Sequence, residues 1–283
     1  MKNIYIILLL ISCGGEMMSM KNSGSTSIEE EPKVDTAEPV ETTEVEEPTE
    51  PEICATMYHP IHESGWTKEF IARQNGTEGV ARETGLGVVM ENGMEIYQYQ
   101  DTLETYHSSW FGTETHGWDM TISVSCNHND QQGMFLLGWT GTFRSDDTWG
   151  QWQEMSAKHS EPRKYLPSEY TLGYEGSWSY NYDMLLDVQI SGGSYPSDQN
   201  IVGTYQEAGF QSMTLFNGEE VEAYKLVNSF TIETQDGDTI QGYIEQYWVK
   251  GLGLVKEVYI NPVDSSEILS KELSSYSGLE IME

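Results

Sequence analysis

The chain has 283 residues, with 46 Asp and Glu against 14 Lys and Arg, and a formal net charge of −32. So acidic a chain repels nucleic acid, because duplex binding needs a basic surface that displaces counterions. It also repels anionic membrane surfaces, so a membrane attachment has to be covalent or by insertion. With 37% hydrophobic residues, it is not expected to cross a membrane several times.

The first residues predict an export signal followed by a lipid attachment site. Residues 4–11 are an apolar run of eight, shorter than the roughly 20 of a spanning helix and typical of a signal-peptide core. The next residues, Leu10-Ile11-Ser12-Cys13-Gly14, resemble the lipobox of bacterial lipoproteins. The resemblance implies that 1–12 is a signal peptide and that Cys13 is acylated with palmitate-type chains. Gly14 after the cysteine implies the outer membrane; the alternative is an ordinary secretory signal with an accidental cysteine.

An acidic segment follows the lipidation site. Residues 29–52 contain eleven acids against Lys33 as their one base, with four prolines among them. Low hydrophobicity and high charge cannot offset the entropy of ordering a chain, so 13–53 is predicted to be a disordered tether. A plain spacer is the simpler interpretation. The alternative is an acidic tail that binds a basic partner or divalent cations.

The body of the chain, residues 54–283, has the periodicity of β-strands. Apolar and polar residues alternate over 118–126 and again over 178–190, where only Leu185 breaks the pattern. A period of two predicts half-buried strands with one face in a core. Residues 268–276 fit either a last strand or a short helix. The body is therefore predicted to be all-β, a curved antiparallel sheet or open barrel with meander connections.

Turn signals recur at short intervals along this body. Asn92-Gly93, Asn217-Gly218 and Asp236-Gly237 each lie between two strand-like runs, and Gly251-Leu252-Gly253 precedes another. Asn-Gly and Asp-Gly are strong signals for short hairpin loops, because both residues tolerate positive φ. These four turns predict antiparallel neighbours along the chain.

One segment interrupts this pattern. Residues 150–173 contain Pro162, Pro167 and mixed charges, and they are interpreted as a long crossover. The body then consists of one β domain over 54–283 or of two halves, 54–149 and 174–283.

Three segments of the C-terminal half carry short motifs. They are Pro162–Pro167 followed by Gly176-Ser177-Trp178-Ser179-Tyr180, then Asn217–Leu226, and finally Tyr247–Glu257. Together they resemble a group of uncharacterised bacterial envelope proteins, although Val249-Lys250 replaces the usual alanine-proline and the middle turn also departs. The resemblance covers about 162–261 and implies a curved antiparallel sheet, similar to the open barrel of lipoprotein-carrier proteins. It implies no function, because the motifs are turn and core residues.

The cysteines and histidines suggest little chemistry. Cys54 and Cys126 remain after Cys13, and two cysteines in an oxidising compartment often pair, so a Cys54–Cys126 disulfide is a candidate. The alternative is a free Cys126 in the core. The spacing of Cys54, His59 and His62 fits no compact zinc site, so neither a metal nor another cofactor is expected. Nucleophile elbows, phosphate loops and zinc-protease motifs are absent from the sequence.

Tryptophans give the best hint of a binding site. Trp139, Trp149 and Trp152 lie in or beside a polar, glycine-containing stretch, where exposed indoles could stack on a sugar or anchor a partner. The alternative is that these indoles close one end of the sheet core.

Three functions stay open at this point. The first is a non-catalytic binding or interaction module on a lipid anchor, with no nucleic-acid partner and with its ligand or protein partner unknown. The second is an open barrel that carries an apolar ligand, suggested by the resemblance and by Met184, Leu185 and Leu186. The third is a secreted hydrolase, which would need two converging carboxylates in a cleft.

Overall fold

A computed structural model describes residues 63–281 except 75, 92, 110–111, 129–130, 145–151, 169–172, 174–175, 191–192 and 236. The signal peptide, Cys13, the tether and Cys54 therefore lie outside the described residues. The described chain forms twelve strands. They are β1 Ser64–Gln74, β2 Thr77–Glu91, β3 Met94–Ser109, β4 Gly112–His128, β5 Gln131–Arg144, β6 Gln153–Leu166, β7 Ser177–Ile190, β8 Gly193–Thr214, β9 Glu220–Thr234, β10 Thr239–Val249, β11 Gly253–Ile260 and β12 Glu267–Ser277.

The strands form one antiparallel barrel. Each strand pairs with its neighbours in the sequence, and β1 also pairs with β12, so the sheet closes on itself. The predicted all-β meander is confirmed, and closure goes beyond the expected open sheet. Because all twelve strands belong to this barrel, the segments 64–144 and 177–277 do not form separate sheets.

The predicted alternation fixes which face of each strand points inward. In β4, Trp118, Met120 and Val124 are buried while Asp119 is exposed. In β7, the side chain of Leu185, which broke the alternation, is 46% exposed and lies on the outer face. A one-residue slip would turn every apolar side chain outward, so this pattern sets the register.

The four predicted turns all join antiparallel neighbours. The tightest of them pairs Glu91 with Met94, only three positions apart in the chain. Gly93 and Gly218 have φ values of 81° and 84°, a region that side chains rarely adopt and that glycine adopts freely. The ambiguous segment 268–276 is part of strand β12.

The prediction of a long crossover over 150–173 was wrong for most of that segment, because strand β6 occupies Gln153–Leu166. This strand pairs with β5 on one side and β7 on the other. The pairing with β5 jumps from Gly138↔Lys158 to Leu136↔Arg163, so Pro162 lies in a bulge. Proline has no N–H for a ladder, and a bulge is where a strand tolerates it.

Large side chains fill much of the barrel interior. The largest fully buried ones are Trp66, Trp248, Tyr205, Tyr224, Lys68, Phe70, Phe135, Phe143 and Leu103. Barrels of about eight strands are filled by ordinary side chains, whereas wider ones have room for cavities. A lysine among the most buried residues indicates that this interior is not purely apolar.

Candidate functional site

Charged residues lie on the inward face of several strands. In β1 the inward positions are Trp66, Lys68, Phe70 and Ala72, so the apolar period itself carries Lys68 into the core. Four more charged residues occupy inward positions of other strands. They are Glu83 of β2, Asp101 of β3, Glu257 of β11 and Lys271 of β12. We call these five residues the charge belt.

Register places the members of the belt opposite one another. Lys68 is the cross-strand partner of Glu83, Glu83 is the partner of Asp101, and Lys271 is the partner of Glu257. Directly opposed residues on one face of a sheet are close enough for their side chains to interact. The belt is therefore a product of strand pairing across the closure of the barrel.

The first ion pair of the belt is fully buried. Lys68 Nζ lies 2.5 Å from Glu83 Oε2 and donates a hydrogen bond of 3.0 Å to the carbonyl oxygen of Leu254. Burial lowers the pKa of Lys68, and Glu83 partly offsets that shift by stabilising the ammonium.

The second group is centred on Lys271. Its Nζ lies 3.4 Å from both Asp101 carboxylate oxygens and 3.6 Å from Glu257 Oε2. Trp118 Nε1 donates to Asp101 Oδ2 at 3.1 Å. Burial raises the pKa of Asp101 to about 6, with Lys271 opposing and Glu83 adding to the shift. Burial also disfavours the Lys271 ammonium, but the three surrounding carboxylates outweigh it and raise the Lys271 pKa.

A hydrogen-bonded bridge leads from the belt to a second polar region. Gln246 Nε2 donates to Glu257 Oε1 at 2.7 Å and to the Tyr165 hydroxyl at 3.1 Å. Gln246 is the cross-strand partner of Glu257. Tyr165, on β6, therefore lies between the belt and Arg163.

Arg163 lies among the rings of four tyrosines. The centre of its guanidinium is 5.4 Å from the Tyr180 ring, 5.8 Å from Tyr182 and 6.0 Å from both Tyr165 and Tyr205. These distances are within the range of cation–π attraction. Its Nε is buried without a hydrogen-bond partner, and within the described part of the chain no ion pair includes it.

His159 borders the same region in its neutral form. Its Nδ1 donates to the carbonyl oxygen of Leu136 at 3.2 Å, and its ring centroid lies 4.5 Å from that of Tyr182. Burial, together with the nearby Arg163 charge, lowers the His159 pKa to about 3. The guanidinium therefore has a neutral imidazole beside it at physiological pH.

These groups line one interior cavity of about 110 Å³. Its lining includes Glu83, Asp101, Glu257 and Lys271 of the belt, and also Arg163 with three of its four tyrosines, Tyr165, Tyr182 and Tyr205. Counting Lys68, the three carboxylates are balanced by two lysines and one arginine. The cavity is therefore neutral in sum, with Arg163 as the cation that no carboxylate of the described residues contacts.

Two of the three tryptophans of the predicted site lie within the described residues, and they line different depressions. Trp139 is 6% exposed and lines the interior cavity. Trp152 is 42% exposed and lines a second depression with Arg82 and Tyr106. Trp149 lies outside the described residues, so its contribution stays a prediction.

The remaining candidates have different outcomes. Cys126 is disulfide-bonded, and its partner lies outside the described residues, so pairing with Cys54 stays a prediction. Among the residues that the structure describes, no group of three or more His, Cys, Asp and Glu is placed to hold a metal ion. No helix in this part of the chain is long and apolar enough to cross a membrane.

Sequence reasoning missed the belt and Arg163, although a signal was present. Lys68 occupies the same alternate positions of its strand as the apolar Trp66 and Phe70. Lys271 occupies the same alternate positions as Leu269 and Leu273. A charged residue on an apolar phase predicts a buried charge that needs a partner.

Comparisons with known proteins give remote structural similarity. No family model and no curated protein matches the sequence. An exported-protein candidate of Bacteroides fragilis with a YmcC-like fold has 12% identity and a TM-score of 0.45, over 79% of this chain and 100% of its own. A lipoprotein candidate of Parabacteroides distasonis has 10% identity and a TM-score of 0.46, over 80% of this chain and 100% of its own.

The hypothetical lipoprotein YmcC from Escherichia coli has 10% identity and a TM-score of 0.35, over 80% of this chain and 91% of its own. At these values the similarity assigns neither a family nor a function to this chain.

Proposed function

We propose that this chain is a lipid-anchored protein of the bacterial cell envelope whose barrel is a non-catalytic binding module. The observation that carries the proposal is the interior cavity of about 110 Å³, which the side chains of the barrel leave open and line with apolar groups and several polar ones. Ligand sites are typically concave, with a few placed polar groups that fix orientation.

The anchor of this proposal is Cys13 in its lipobox-like sequence, followed by the acidic segment 13–53 as a spacer. A single acyl chain binds a membrane reversibly, and two or more hold a protein stably. Gly14 after the cysteine favours the outer membrane. Cys13→Ser should move the protein from the membrane fraction to the soluble fraction, and an unchanged distribution would contradict the anchor.

A carrier of apolar ligands fits the cavity less well. A cavity of about 150 Å³ holds a benzene-sized molecule, and this one is smaller and places charged and hydroxyl groups beside apolar side chains such as Met184, Ile201 and Phe230. Of the three residues that suggested this role, Leu185 lies on the outer face and is exposed. A long acyl chain would have to displace the side chains that now fill the barrel.

Hydrolysis is also disfavoured, although carboxylates do converge here. Asp101 and Glu257 both face Lys271, whose Nζ lies 3.4 Å and 3.6 Å from them. A pair of catalytic carboxylates needs the scissile bond between them. In this cavity a lysine ammonium lies between them, so the carboxylates serve to compensate the lysine.

Native mass spectrometry of the intact chain, purified from the envelope in mild detergent, tests the binding function. We expect a bound small molecule that is lost on gentle activation. Ile201 lines the cavity, and Ile201→Trp should block binding, whereas Val202→Trp places the same bulk at an outward, 45% exposed position and should not. A ligand-free wild-type chain, or equal retention by both variants, would contradict a site inside the barrel.

A further inference from the structure

We infer that Arg163 binds an oxyanion, a carboxylate or phosphate group, which anchors the ligand inside the barrel. This inference rests on the proposed binding function and adds the chemical class of the ligand. It is carried by three features of Arg163: its half-buried side chain, its buried Nε without a hydrogen-bond partner, and the uncharged groups that surround it.

The position of the Arg163 guanidinium, with its Nε buried, is costly without a partner. A guanidinium stays protonated at any physiological pH and presents five N–H donors. Removing such a charge from water costs several kcal/mol unless it is paired and hydrogen-bonded. Nε of Arg163 is buried and has no acceptor among the described residues. A residue that only filled space here could be apolar at no loss of stability.

The surrounding tyrosines hold the guanidinium but do not complete its hydrogen bonding. Four rings attract the cation within 5.4–6.0 Å. Two of these hydroxyls already have hydrogen bonds elsewhere, since Tyr180 donates to Asn228 Oδ1 and Tyr165 accepts from Gln246. The cage thus positions the cation without supplying an acceptor to its buried Nε.

The carboxylates of the protein do not supply that acceptor. Asp101 and Glu257 are engaged by Lys271, and Glu83 by Lys68. His159, also beside Arg163, donates to a backbone carbonyl and is held neutral by burial. A carboxylate or phosphate can accept two parallel hydrogen bonds from one guanidinium, and such charge-assisted bonds are the strong ones. A group of that size fits a cavity of about 110 Å³.

Isothermal titration of the detergent-solubilised full chain with sodium acetate and with inorganic phosphate, at constant ionic strength, tests the inference. The two probes separate the carboxylate and phosphate sources of the oxyanion. We expect one of them to bind wild-type protein and to raise its melting temperature. Arg163→Met should weaken binding at least 100-fold, and Arg163→Lys about 10-fold because a lysine loses the bidentate geometry.

Matched measurements separate a binding role from a structural one. Lys164→Met removes a neighbouring positive charge that does not line the cavity, so its affinity should equal that of wild type. Without added anion, Arg163→Met should melt at the wild-type temperature or a few degrees higher, because a buried unpaired charge has been removed. If Arg163→Met fails to fold, the Arg163→Lys chain decides the question.

The outcomes for the two proposals can be told apart. Oxyanion binding that is equal in wild type and the Arg163 variants overturns the inference. A co-purified neutral ligand that the Arg163 variants also retain overturns it too, while leaving the binding function intact. A wild-type chain that binds neither probe and carries no ligand contradicts both proposals.

Discussion

The Lys68–Glu83 pair offers a direct test of the charge belt. Both side chains are buried, at 0% and 4% exposure, and their charged atoms are 2.5 Å apart. Lys68→Met keeps most of the side-chain volume but leaves the Glu83 carboxylate without its ammonium. Removing one member of a buried ion pair costs about 3–5 kcal/mol. We expect the free energy of unfolding of the full chain, from urea titration followed by tryptophan fluorescence, to fall by that amount.

A second substitution separates pairing from packing. Replacing a whole buried pair by neutral groups is often without cost, so Lys68→Met with Glu83→Gln should recover most of the loss. Arg73→Met breaks a surface pair whose members are 48% and 74% exposed, and it should cost at most about 1 kcal/mol. The reasoning is refuted if Lys68→Met costs no more than this control, or if the double variant loses as much as Lys68→Met alone.

Three further predictions concern other parts of the barrel. The pKa of Asp101 is about 6 in the folded state against an ordinary value of 3.8. Between pH 4 and 6 the folded chain therefore keeps a proton on Asp101 that the unfolded chain has lost. The contribution of Asp101 to the free energy of unfolding falls as the pH rises through this interval. Asp101→Asn should therefore gain roughly 3 kcal/mol relative to wild type over that interval in urea titrations, and a constant difference would contradict the shift. Gly203→Ala places a Cβ against the hydroxyl end of the Tyr180 ring. The substitution should lower the free energy of unfolding by about 1–3 kcal/mol and change the near-ultraviolet circular dichroism. An unchanged spectrum and stability would count against this contact. Cys126→Ser should lower the free energy of unfolding by about 2–4 kcal/mol, and Cys54→Ser should lower it equally if the two cysteines are partners. After alkylation without reductant, the intact mass should show that neither cysteine has reacted. An alkylated Cys54 would exclude the pairing.

Strands and turns could be predicted because their determinants are local. Alternation over 118–126 and 178–190 depends on which residues are apolar, and Asn92-Gly93 needs only its own backbone preferences. Strand β6 was missed for an equally local reason. Its only proline, Pro162, imitates a strand boundary, and the bulge that accommodates it depends on partners in β5.

The candidate site could not be assembled from local patterns. Lys271 and Asp101 are 170 residues apart in the chain, and they meet because β12 closes the barrel onto β1. Closure depends on strand number and stagger, which no single segment encodes. The inward position of Lys68 was nevertheless readable from Trp66 and Phe70, since a charge in phase with apolar neighbours belongs to the core face.

The buried lysines and Arg163 differ in how their charges are compensated. Lys68 and Lys271 each have a carboxylate within 4 Å, so their burial is compensated inside the protein. Arg163 is surrounded by aromatic rings and a neutral histidine, so its charge finds attraction there but no oxygen acceptor at its buried Nε. If the buried Nε costs more than the ring attraction returns, as we expect, an apolar residue of similar size at position 163 should fold at least as well. This difference from the two lysines is the reason for inferring a binding role for Arg163 and not for them.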